Sequence, residues 1–254
     1  MSKKVFVLLI LTLLLLTSLL SNWPVMANVN PNARVVNDRW YLDVDGHPIV
    51  VGEVENIGDV ALKDVEVVLL IRSKFLDETN EETWTIRIWS PEVLEPGFKA
   101  PFREWILVFG DFLGYEVKGV TFTIGESKLL RLEVLTMETY EDGADCLHIT
   151  GEIKNNGEQD IWGFTAVGVF YDKDGRVVTV TKPNYISSNI RSGGIGQYDV
   201  VMEPTDVNQK PFIDHYALIV ESYYYNMIPE FPHTIAVLLM AMGTTSLILR
   251  RKKD

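Results

Sequence analysis

The chain has 254 residues and a formal net charge of -12, which leaves room for one large domain or two small ones and argues against nucleic acid as a partner. Its basic residues are unevenly placed: Lys3 and Lys4 precede one apolar run, and Arg250, Arg251, Lys252 and Lys253 come after another, so the stretch between is more acidic than the net charge suggests. Cys146 is the single cysteine, which excludes an intramolecular disulfide and the paired-cysteine zinc and redox motifs.

In chain order, Lys3 and Lys4 lead into apolar residues 5–20 and then into Val25-Met26-Ala27. A charged start, an apolar centre and a small-residue end predict a secretory signal peptide over 1–27, cut between Ala27 and Asn28. The apolar part slightly exceeds the usual roughly 7 to 15 residues, so an uncleaved N-terminal anchor helix is the alternative.

The middle of the chain uses one unit twice. "GEVENIGDVALKDVEVVLLI" at 52–71 aligns without a gap to "GEIKNNGEQDIWGFTAVGVFY" at 151–171, with Asn56 and Gly58 meeting Asn155 and Gly157. Further on, "LEPGFKAPF" from Leu94 corresponds loosely to "IRSGGIGQY" from Ile190. A period near 100 residues is far too long for a solenoid and suits two domains, placed at 34–126 and 129–226. Within each unit the apolar period is two, as at Val65, Val67, Leu69 and Ile71, or Trp84, Ile86 and Ile88. Asp45-Gly46, Pro96-Gly97, Asp142-Gly143, Asn156-Gly157 and Asp174-Gly175 supply turns between the runs. The expected fold is all-β, two tandem immunoglobulin-like antiparallel β-sandwiches, with a small barrel as runner-up.

"GEIKNNG" followed by "VGVFYDKDGRVV" in the second unit resembles the FxLYD family of Ig-like domains of prokaryotic surface proteins. The namesake letters fall on Gly168, Phe170, Tyr171 and Asp172. Gly168 stands where the family has Phe, and Phe170 where it has Leu. The first unit holds Leu69, Ile71, Arg72 and Ser73 at these positions, so its likeness rests on "GEVENIG". The resemblance implies a display or contact role, and the family offers no catalytic residues to carry over.

Few side chains suggest chemistry. Asp172 and Asp174 could open a calcium loop, but "RVVTVT" after them lacks the remaining ligands, so a hairpin turn is the expected role. Cys146 and His148, two apart on an expected strand, could form a soft copper site; the first unit has His47 and Ile49 there, which favours simple packing. None of His47, His148, His215 or His233 stands beside a nucleophile motif, and "RSGGIGQ" lacks the lysine of a phosphate loop. No catalytic, cofactor-binding or metal residue is therefore expected, and the protein is read as no enzyme. Trp40, Trp84, Trp89, Trp105 and Trp162 suggest an exposed aromatic contact, with most of the five expected in the core.

The chain closes on Tyr223-Tyr224-Tyr225, then Pro229-Glu230-Phe231, then apolar residues 234–249 and the basic cluster. A transmembrane helix over about 234–249 is expected, borrowing from the segment before it to reach spanning length, with Arg250, Arg251, Lys252 and Lys253 on the cytoplasmic side and the sandwiches outside. Pro229, Glu230 and Phe231 ahead of a short apolar helix and a basic tail resemble the PEF-type C-terminal sorting signals of archaeal surface proteins, placed at 228–254. That resemblance implies an archaeosortase-like processing enzyme as a partner. The alternative is a stiff proline spacer before a retained anchor.

Together these readings predict a membrane-tethered surface protein displaying two Ig-like domains for binding, adhesion or envelope scaffolding, with an envelope or surface protein as partner. An extracytoplasmic accessory subunit of a membrane enzyme or transporter is the alternative.

Overall fold

A computed structural model describes residues 29–127 and 131–222. Ala27, Asn28, Pro229, Glu230, Phe231 and the basic cluster lie outside the described residues, as do both expected terminal helices. Among the described residues no helix is long and apolar enough to cross a membrane. Every element below belongs to one compact unit that begins at Pro31.

The fold is almost wholly antiparallel β-sheet. The first half contains β1 (Ala33–Leu42), β2 (Pro48–Asn56), β3 (Leu62–Phe75), β4 (Glu78–Arg87), β5 (Val93–Leu94), β6 (Lys99–Trp105) and β7 (Asp111–Ile124). The second contains β8 (Leu132–Glu141), β9 (Leu147–Asn155), β10 (Phe164–Tyr171), β11 (Val177–Val180), β12 (Asn184–Ile186), β13 (Ile195–Val201) and β14 (His215–Glu221). The one helix among the described residues is a 3₁₀ segment, Pro204–Phe212, between β13 and β14.

Each half builds the same pair of sheets. In the first, β1-β2-β6 faces a sheet in which β3 pairs with β4, β5 and β7; in the second, β8-β9-β13 faces one in which β10 pairs with β11, β12 and β14. The alternation that predicted strands also sets their facing. Val65, Val67, Leu69 and Ile71 of β3 are buried against Val50, Val54 and Phe102, while intervening residues turn outward. Ile149, Ile153, Phe164, Phe170 and Val200 form the corresponding core of the second half. The result is β-sandwich-like packing, two layers over an apolar interior.

The sequence repeat coincides with a repeated hydrogen-bond knot. Asn56 is fully buried; its amide donates to the carbonyls of Val60 and Leu94, both at 2.8 Å, and its Oδ1 accepts from Gly58 N at 3.0 Å. Asn155 donates to Gln159 at 2.7 Å and Ile190 at 3.1 Å and accepts from Gly157 N at 2.9 Å. A buried side chain with two donors and an acceptor meets the loop groups that no strand could satisfy, which is why Asn recurs at both places.

The halves are joined by burial as well as by the chain. Tyr41, Ile49 and Val51 pack with Val167, Val169, Val177 and Val180 in a third apolar cluster, so the outer face of β1-β2 is covered by β10-β11. The first and last described segments emerge at the same end. Asn32 O accepts from Ile57 N and Gly58 N, next to Asn56 and thus Leu94. Glu221 accepts from Ser90 Oγ and Glu92 N, two residues from Leu94. The opposite end of the first half is set by β3: at about 3.3 Å per residue its 14 residues carry Phe75 about 40 Å from Leu62.

Candidate functional site

That far end gathers exposed apolar side chains from separate segments. Phe75 and Leu76 form the β3–β4 turn; Leu107 and Phe109 lie in the β6–β7 loop; Leu113 lies near the start of β7. Leu76 is 80% exposed, Leu107 70% and Phe109 88%. Ladder register brings them together, since Lys74 pairs with Asp111 and Ser73 with Phe112. Gly110 makes the approach possible: at φ +84° it lies so close that a Cβ there would collide with the Lys74 carbonyl. Phe112 reaches Trp40 edge-on at 5.0 Å between ring centroids, which ties the loop to β1. Asp77, Glu78 and Asp111 border this apolar surface alongside Lys74, all exposed.

Leu76 also adopts φ +57°. A two-residue turn between paired Phe75 and Glu78 favours Gly, Asn or Asp at such a position. A leucine there has backbone strain and an exposed apolar side chain together, which local stability does not explain.

Behind this surface runs a buried polar seam between the halves. Arg103 of β6 donates from Nε and Nη2 to Asp206 of the 3₁₀ segment at 3.1 and 2.9 Å, and both side chains are buried. Burial opposes the Arg103 charge most strongly, but the hydrogen bond and charge of Asp206 outweigh it and the pKa is raised. Thr179 Oγ1 donates to Asp206 at 2.6 Å, leaving its lone pair for Tyr41 Oη at 3.0 Å. Burial first, then the Asp206 charge, pushes the Tyr41 phenol up and keeps it a neutral donor. Arg39 donates to Gln209 at 2.8 Å, and Tyr171 Oη donates to Glu53 at 2.7 Å. Sequence reasoning missed this seam because its partners in opposite halves lie more than 100 residues apart and carry no local pattern.

The described histidines each meet a carboxylate and an aromatic ring. His148 contacts Asp199 at 2.8 Å and Asp142 at 3.4 Å and stacks on Tyr140 at 4.4 Å. Burial lowers its pKa, but the bonds to Asp199 and then Asp142 more than offset this, and the net shift is upward. His47 packs edge-on against Trp105 beside Asp43, and His215 stacks on Tyr171 beside Asp214. Both His148 nitrogens face carboxylates. Cys146 lies in the turn before β9 rather than on the strand, buried, its Sγ facing Ala144 O at 3.8 Å; burial pushes its thiol up.

Among the described residues one group, Asp43, Asp45 and His47, brings possible metal-ligand atoms within 4.8 Å of one another. Its geometry has a plain structural cause. Asp43 Oδ1 accepts from Asp45 N and His47 N, as Asp142 does from Ala144 N and Cys146 N, and Asp172 from Asp174 N and Arg176 N. One carboxylate closes three hairpin turns alike, so Asp172 and Asp174 have the expected turn role.

The tryptophans depart from expectation. Trp40, Trp105 and Trp162 are exposed, and Trp84 and Trp89 are only partly covered. The cores are filled instead by aliphatic chains with Phe102, Phe164 and Phe170, whose flat rings fit a narrow inter-sheet space without a polar group to satisfy. Trp84 illustrates the cost, because its Nε1 is buried without a hydrogen-bond partner.

Comparison with known proteins finds no matching family model and no matching curated protein.

Proposed function

We propose that this is a non-enzymatic, membrane-tethered surface protein whose two Ig-like modules hold an apolar contact surface away from the membrane. The observation that carries the reading is Leu76, exposed at positive φ within an apolar cluster about 40 Å along β3 from the end where the chain enters and leaves. The export signal expected over 1–27 and the apolar run 234–249 with its basic tail support tethering, by retained helix or after PEF-type processing. The division into a three-strand sheet and a sheet centred on β3 or β10, repeated, supports the Ig-like reading. Gly168 departs from the FxLYD pattern, which has Phe there, and a Cβ at this position would come within 2.8 Å of Ile149 Cδ1. An acidic border favours a protein partner with an apolar centre and a basic rim.

The test is site-specific photocrosslinking on native membranes from position 109, with position 82 on β4 as control. A partner captured from 109, absent from 82 and lost in Leu76→Asp supports display. A stoichiometric membrane-complex partner captured from both positions supports the accessory-subunit role instead. Substrate turnover by the purified protein overturns both.

A further inference from the structure

The end where the chain leaves the fold has its own exposed rings. Ser222 Oγ donates to the Gly163 carbonyl at 3.2 Å. Gly163 lies under the Tyr185 ring so closely that a Cβ there would sit 2.3 Å from the Tyr185 hydroxyl. Trp162, the neighbour of Gly163, is 62% exposed, and Tyr185 is 52% exposed. The exit and two outward amphipathic rings therefore lie within one contact of each other. Ile195 is exposed close by, since Gly196 abuts Ile190 and Ile190 bridges to Ile161. The first half exposes Ile57 and Phe98 at the same end, flanking Asn56 in the loop network.

Neither core nor seam explains Trp162, whose ring faces outward from a loop held rigidly by the Ile161–Ile190 bridge. The short span of chain beyond Ser222 supplies the reason. Only eleven residues, 223–233, separate Ser222 from the apolar run 234–249, and they include Tyr223, Tyr224 and Tyr225. At a maximum of about 3.4 Å each they reach no more than about 37 Å, so this end cannot stand far from a bilayer that holds residues 234–249. Trp and Tyr are the side chains that settle at the headgroup level, apolar body inward and polar tip in water.

We infer that the Trp162–Tyr185 surface is a lipid-contact site that rests on the headgroup layer and holds the two sandwiches at a fixed tilt, with the apolar surface at Leu76 and Phe109 turned outward. The inference rests on the membrane-tethered reading above. Glu158 and Asp160 are exposed on the same loop with exposed Arg191 beside them, a mixed charge that fits neutral or zwitterionic headgroups better than anionic ones.

The experiment uses the full-length chain in phosphatidylcholine vesicles, with a fraction of the lipid carrying a nitroxide at a shallow acyl position. Flotation reports anchoring, and quenching of tryptophan fluorescence reports contact. Trp162→Phe is the test variant and Trp105→Phe the control at the far end. The expected result is flotation of all three proteins and shallow-label quenching that falls at least about twofold in Trp162→Phe but not in Trp105→Phe. Flotation with the same quenching in all three overturns the lipid contact and leaves the anchoring intact. Failure to float overturns the anchoring and the contact with it.

Discussion

The two halves share strands, sheets and the buried asparagine, and they differ in two connections. Between β6 and β7 the first half has five residues, 106–110, and they show Leu107 and Phe109 to solvent. Between β13 and β14 the second half has residues 202–214, whose 3₁₀ segment turns Asp206 and Gln209 inward onto Arg103 and Arg39. The hairpins differ in the same direction: β3 and β4 run 14 and 10 residues to the Leu76 turn, whereas β10 and β11 run 8 and 4 and close on the polar Asp172 turn. The same scaffold position thus exposes apolar side chains in one copy and docks against the other half in the second. The core cannot vary without loss of packing, but loops at sheet ends can, and that is where duplicated modules diverge.

Breaking the docking side should have the largest effect. Asp206→Ala leaves Arg103 buried and unpaired, an expected loss of about 3 to 5 kcal/mol, and urea denaturation should separate into two transitions as the halves uncouple. A single unshifted transition would show that the apolar cluster around Ile49 and Val169 suffices.

The shared knot should break equally on both sides. Asn56→Ala and Asn155→Ala each take a side-chain partner from two loop carbonyls, one of them on a buried residue, and from a glycine amide, so each should cost about 1 to 3 kcal/mol by denaturation. A large difference between them would mean the halves are not mechanically equivalent.

On the display side the sign reverses. Leu76→Asn relieves a positive φ that costs a leucine about 1 to 2 kcal/mol, so thermal denaturation should show unchanged or raised stability while capture from position 109 falls. Lower stability would instead make Leu76 a structural residue.

The smallest expected effect is a pH dependence at His148. His148 has a raised folded pKa, so its contribution is fully present below the unfolded value of about 6.5 and fades as pH rises through the folded value. His148→Gln should flatten the stability profile above about pH 6.5, measured by urea midpoints across that range.

Much of the fold was legible because the signals are local. Apolar alternation marked β3 and β4, Gly and Asp marked the turns, and the paired Asn-x-Gly motifs marked the duplication down to its hydrogen bonds. The proposed contact surface was legible only in part: five tryptophans hinted at exposed aromatics, yet its chief members are Leu76, Leu107 and Phe109, which no motif in the sequence singled out. Arg103 and Asp206 left no trace, because a buried ion pair is recognised by its partner and not by its neighbours in the chain.

By itself, then, the sequence determined the all-β class, the two copies, the turns and the acidic, cysteine-poor character, since these arise from periodicity, backbone freedom and composition. Tertiary structure decided which copy displays and which docks, that β10-β11 covers β1-β2, and that the chain enters and leaves opposite the Leu76 end. Those depend on pairings between residues far apart in the chain, where the energy of burying Arg103 against Asp206, or of packing Val51 against Val169, exists only once both halves have folded.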